Sequence, residues 1–245
     1  MADYQTIRSV GAGTQTAQID AGLRAHMNKV YGLMSVGMAI TGGVAWAVGT
    51  SPELMSVLRS PEGGMTILGW VVMFAPLIMV FAFGALLNRL SVAGAQLFFY
   101  VYAALMGLSL SWIFLAFTNT SIAQTFFVTA IAFAALSLYG YTTKRDLSAM
   151  GTFLMMGVIG LLVAMVVNIF LASSALAFAI SAIGVLIFAG LTACDTQSIK
   201  TTYLQHAQAG DSEWLGKAAI MGALQLYLDF INMFMFLLQF MGNRE

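Results

Sequence analysis

Between Glu62 and Lys144 the chain carries one charged residue, Arg89; between Asp146 and Lys200 it carries one, Asp195; between Lys217 and Arg244 it carries one, Asp229. Runs this long and this apolar have few folds open to them. A helix needs about 20 apolar residues to cross a hydrocarbon core about 30 Å thick, whereas a barrel strand would show short alternating segments of about ten. Hydrophobic residues make up 60% of the chain and charged ones 8%, with a mean hydropathy of +0.88. Soluble domains carry charge on about a quarter of their residues, so a soluble fold is excluded and an all-α integral membrane protein is expected.

The chain divides into a polar N-terminal tail, residues 1–27, and a single seven-helix membrane domain, residues 28–245. The tail has no hydrophobic periodicity up to about residue 19, and Asp20 is a plausible cap for the helix that enters the membrane near Lys29. Spans are expected at about 30–50, 65–87, 92–117, 122–141, 149–171, 176–198 and 219–241, separated by turn residues, tyrosines or charges. In the third, Ala103, Gly107 and Ser111 recur every four residues, a seam of small side chains that lets another helix approach closely. No linker, repeat or cleavable leader breaks this pattern.

Charge placement orients the chain. With a cytoplasmic N-terminus, Arg8, Arg24, Lys29, Arg89, Lys144, Arg145, Lys200 and Lys217 fall inside, and only Arg59 and Arg244 fall outside. The odd number of spans then places the tail Gly242 to Glu245 outside. Ten basic and ten acidic residues cancel, which gives no reason to expect a nucleic-acid partner.

In the last span, ALQLYLDFINMFMFLLQF, Gln225, Asp229, Asn232 and Gln239 share one helical face. An acid at mid-helix costs about 2.5 to 3.5 kcal/mol on insertion scales, so this face must look into protein or a wet cavity. The seventh helix is therefore expected to be central. Asp195 lies on the preceding span. Should the two aspartates meet, they cannot both ionise cheaply in a low dielectric, so they would share a proton and could sense pH. A depth mismatch stands in the way: Asp229 is about 18 Å along the helix from Lys217, Asp195 only about 7 to 8 Å from Lys200. The acids meet only if a helix tilts or extends beyond the membrane. Arg89 reads either as a topology-setting interfacial charge or as a latch to the pair. Asn168 and Gln225 read as interhelical hydrogen-bonding groups or as supporting ligands.

Other chemistries find little support. His26 and His206 flank the spans as solvated residues, and no His or Cys spacing suggests zinc. Cys194, the only cysteine, is read as packing. GLSLS, Gly107 to Ser111, has no membrane-embedded histidine for a serine protease, and no lysine sits deep enough for a Schiff base. An intramembrane aspartyl protease would also set aspartates on its sixth and seventh helices, but no GxGD surrounds either acid.

GLTACDTQSIK, Gly190 to Lys200, and LQLYLDFINMFMFLLQFMG, Leu224 to Gly242, resemble the signature of the Bax inhibitor-1 (transmembrane BAX inhibitor motif) family, in a bacterial-type member. The family commonly has Tyr-Asp where this chain has Cys194 and Asp195. The resemblance implies six helices around a central seventh and a pH-sensitive calcium leak channel in the cell membrane, without enzymatic activity or cofactor. It further implies a two-aspartate sensor at Asp195 and Asp229, latched by Arg89, with Ca²⁺ as the permeant ion held weakly and transiently. Gln225, Asn232 and Asn168 would be supporting oxygens, too few for the six to eight ligands of a tight calcium site. Partners would be the bilayer, calcium and, for a non-transporting regulator, a protease or cell-death-type membrane protein. A proton-coupled transporter is a further alternative.

Overall fold

The computed structural model describes residues 3–60, 64–87, 89–207 and 211–243, with side chains from Gln18 onward. Expectations that fall on Arg8, Glu62, Asn88, Arg244 and Glu245 lie outside these side chains or residues. The described residues are all-helical: α1 (Asp3–Gly49), α2 (Pro52–Leu58), α3 (Ile67–Leu86), α4 (Val92–Leu110), α5 (Ile113–Ala116), α6 (Asn119–Thr142), α7 (Ser148–Leu171), α8 (Ser174–His206) and α9 (Ser212–Met241). Seven segments are long and apolar enough to cross a membrane, α4 and α5 together forming one of them.

Short polar residues in the connections start these helices. Ser51, Thr66, Ser91, Thr118, Ser173 and Asp211 each accept a hydrogen bond from the backbone N–H three residues on, satisfying a donor that the first helical turn leaves free. Asp20 does not act this way. No proline occurs before Pro52, and α1 continues back to Asp3, so the expected tail is helical where an irregular segment was predicted.

The small-residue seam of α4 is where α1 lies. Thr41 donates to the carbonyl of Ala103 at 2.8 Å. A Cβ on Gly107 would stand 2.6 Å from the Thr41 carbonyl oxygen, and one on Gly49 would stand 2.6 Å from that of Ser111. Any larger residue at Gly107 would push the backbones apart.

Of the spans, α9 is the most enclosed, with 67% of its most apolar stretch buried against 6–39% in the others. It packs on α1, α4, α6 and α8, whereas α3 packs chiefly on α4 and α7 on α8. Four helices therefore supply the main contacts of α9, and a full ring of six around it is not established by them.

Both helices that carry the aspartates run past their expected ends. α8 continues beyond Lys200 to His206, and α9 begins at Ser212, well before residue 219. The extension explains a second departure. His26 is buried against the ring of Tyr203, centroids 4.9 Å apart, because the added turns of α8 cross α1 there. His206 remains exposed and stacks on Trp214 at 4.0 Å.

Candidate functional site

Antiparallel packing of α8 on α9 sets the register of the two acids. Ser181 meets Gln239, Phe188 stacks on Phe236 at 5.8 Å, and Ile199 fills the space beside Gly222. In that register Asp195 stands opposite the turn that bears Asp229. Both helices extend past their expected ends at this side of the bundle, the condition under which the two acids could come to one level.

The two acids differ in their surroundings. Asp229 is buried, and its Oδ2 has no hydrogen-bond partner. Asp195 is half-buried and opens into a cavity of about 720 Å³, together with Thr143, Lys144, Arg145, Gln197 and Lys200. No hydrogen-bond donor or cation reaches either carboxylate among the described residues; the ion pair found there is Lys217 to Glu213, at 3.0 Å. An unpaired buried carboxylate costs several kcal/mol unless a proton or a cation neutralises it.

The residues around Asp195 hold the cavity in shape. Gln197 accepts from the Leu147 N–H at 2.8 Å and donates to the Arg145 carbonyl at 2.7 Å, so one amide clamps both sides of the α6–α7 loop. Lys200 donates to the Tyr141 carbonyl at 2.7 Å. Asp146, at the start of α7, is fully exposed, and hydrogen bonds from the Ser148 side chain and backbone hold its carboxyl below the usual 3.8. On the other side, Tyr31 and Ser137 hydroxyls lie 2.6 Å apart, and Ser137 and Thr196 lie 2.9 Å apart. Thr196 donates to the Thr192 carbonyl, so the chain of donors runs from Tyr31 through Ser137 to Thr196 and ties α1, α6 and α8 together.

The remaining expected site residues do not gather at the pair. Arg89, past the end of α3, is exposed and forms no ion pair with Asp195 or Asp229. Gln225 is exposed and lines a different cavity, of about 300 Å³, with His26, Leu87 and Lys217. Asn232 turns its amide back onto the Leu228 carbonyl of its own helix, at 2.9 Å. Asn168 is misplaced by the expectation: it sits at the end of α7, where its Oδ1 accepts from the Ser173 N–H at 3.0 Å and closes the α7–α8 turn. That end of α8 is the one opposite Asp195, which removes Asn168 from the supporting oxygens.

Sequence reasoning missed Tyr31, Ser137, Thr196 and Gln197. Thr192 and Thr196, one helical turn apart within LTACDTQSIK, were the available signal for a polar strip beside the acid.

Relatives span nearly the full length of the chain. An uncharacterised protein of Caulobacter vibrioides is 46% identical over 243 residues, 97% of this chain and 96% of its own. The uncharacterised protein RP147 of Rickettsia prowazekii is 46% identical over 245 residues, the whole of both chains. Inner membrane protein YbhL of Escherichia coli K12 is 46% identical over 225 residues, 92% of this chain and 94% of its own. The model of the family described as Inhibitor of apoptosis-promoting Bax1 matches residues 23–245, and with two near-complete sequence motifs, seven spans and these relatives the chain belongs to that Bax inhibitor-1-like family.

Proposed function

We propose that this protein is a pH-sensitive leak channel for calcium or a similar cation, in which Asp195 and Asp229 form the sensor and the narrowest part of the ion path. The observation that carries the reading is the buried, unpartnered Oδ2 of Asp229 on α9, the helix packed along α8, where Asp195 lines a polar cavity about 720 Å³ in volume. A cation entering the cavity meets Asp195 first. Two carboxylates attract a divalent ion, yet they supply far fewer oxygens than the six to eight of a tight calcium site, and weak occupancy lets the ion leave. Protons compete with the cation for the same oxygens, which couples conduction to pH. Engagement of Arg89 with the pair is the closed arrangement of this proposal, and its exposed position is the released one.

By likeness to YbhL, the protein belongs in a bacterial inner membrane. A cytoplasmic N-terminus puts Lys144, Arg145, Lys200 and the mouth of the cavity on the inner side, in keeping with the bias of basic residues.

Purified protein in liposomes loaded with a calcium dye, assayed from pH 6 to 8, tests the reading. Wild-type flux should depend on pH, and Asp195→Asn and Asp229→Asn should each reduce flux or flatten its pH profile. Flux that is absent, or indifferent to pH and to both substitutions, overturns it.

A further inference from the structure

α1 and α6 are neighbours without a packed seam: each packs instead on α8 and α9. The gap between them holds two chambers, both open along the outer face of the bundle. One, of about 700 Å³, lies between Arg24, Met27 and Asn28 on α1 and Phe133, Ala134 and Leu138 on α6. The other, of about 470 Å³, lies between Met38, Gly42 and Trp46 on α1 and Ile122, Ala123 and Phe127 on α6. Between them Phe230 of α9 packs against Phe126 and Phe133, ring centroids 5.5 Å away in both cases. From Arg24 to Trp46 the fissure covers about 33 Å of helix, close to the thickness of a hydrocarbon core.

The larger chamber is amphipathic along its length. Its walls are Met27, Phe133, Ala134 and Leu138, and the hydroxyls of Tyr31 and Ser137 are already bonded to each other. Arg24 and Asn28 sit at one end, both exposed, and Arg24 has no ion-pair partner among the described residues. A cation at the level where an apolar slot leaves the membrane matches a phosphate with an acyl chain attached.

We propose that this chamber binds one anionic glycerophospholipid, with its phosphate at Arg24 and one acyl chain lying between α1 and α6. The site is separate from the aspartate pair and does not depend on conduction. Lipid seated there would cover the Tyr31 to Thr196 hydroxyl chain from the membrane side.

The test is native mass spectrometry of protein released from nanodiscs containing phosphatidylglycerol and phosphatidylethanolamine in equal amounts. Wild type should retain one phosphatidylglycerol. Ala134→Trp, which fills the chamber, and Arg24→Ala, which removes the cation, should each lower that retention at least fivefold. Val163→Trp on the lipid-exposed face of α7 should leave it unchanged. Ala134→Leu supplies a milder filling variant should the tryptophan prevent folding, and an intermediate loss is expected from it. Retention unaffected by filling Ala134, equal retention of the zwitterionic lipid, or loss with Val163→Trp as large as with Ala134→Trp overturns the proposal.

Discussion

The phenol of Tyr227 donates to Thr41 Oγ1 at 2.6 Å, and Thr41 donates in turn to the Ala103 carbonyl at 2.8 Å, so two hydroxyls join α9, α1 and α4 two residues from Asp229. Tyr227 is fully buried between the rings of Phe99 and Tyr102. Removing one hydroxyl is not equivalent to removing the other. Tyr227→Phe leaves Thr41 bonded to Ala103 and should cost about 1 kcal/mol, whereas Thr41→Val strands the buried phenol and should cost about 1 to 3 kcal/mol. Reversible unfolding in mixed detergent micelles gives the order, and a larger loss for Tyr227→Phe would contradict it.

Close backbone approach makes a sharper prediction at Gly140. A Cβ there would run into the backbone of Ala193, two residues before Asp195 on α8. Gly140→Ala should separate α6 from α8, weaken the Ser137 to Thr196 bond and destabilise the protein by about 1 to 3 kcal/mol. A Cβ on Gly160, in α7, meets nothing within 4 Å. Gly160→Ala should therefore be neutral or stabilising by up to about 1 kcal/mol. Thermal unfolding of the two variants side by side checks this.

Asp146 shares the polar cavity with Asp195 but should play no part in any response between pH 6 and 8. Its carboxyl is held below 3.8 by Ser148, so it is ionised throughout that window. The support it gives the start of α7 is present above the ordinary carboxylate range and is lost as pH falls through its lowered value. Asp146→Asn should leave the pH profile of dye flux unchanged, and should remove part of the acid-induced loosening of the loop seen by hydrogen exchange below pH 4. A flux profile that moves with Asp146→Asn would shift the sensor away from the pair.

At the far end of the bundle, Ala172 adopts a left-handed conformation, φ 47° and ψ 34°, beside the Asn168 to Ser173 hydrogen bond. Alanine is strained there by about 1 to 2 kcal/mol, a strain that glycine avoids. Ala172→Gly should raise the unfolding temperature, and Asn168→Ala should lower it by the loss of about 1 kcal/mol. Neither should alter flux, and a conduction defect in Asn168→Ala would return that amide to the ion path.

The seven spans, the enclosure of α9 and the Ala103 to Ser111 seam were legible because each follows from run length or from side-chain size along one helix. So was the packing of α8 on α9, the helices that carry Asp195 and Asp229, since short connections make consecutive spans neighbours. Helix ends were harder: Lys200 looks like a boundary residue, yet α8 continues because Lys200 bonds the Tyr141 carbonyl within the protein. The polar face of α9 was read as one stripe with one purpose. Its members separate: Asp229 is buried and Gln225 exposed, a difference that only the packing of neighbouring helices decides. Arg89 and Asn168 belong to helix ends, where sequence position alone does not say which way a side chain turns.

Gln197 holds the α6–α7 loop through both atoms of its amide, so the loop and α8 form a single moving part. The cavity at Asp195 therefore has a roof fixed to one of its own walls. A swing of the loop alone would break two hydrogen bonds and leave the distance between the aspartates unchanged. In the proposed channel, widening the path to Asp229 would need α8 to tilt or slide on α9, and such a motion carries the loop with it. Probes attached to the loop would then report the movement of α8 against α9.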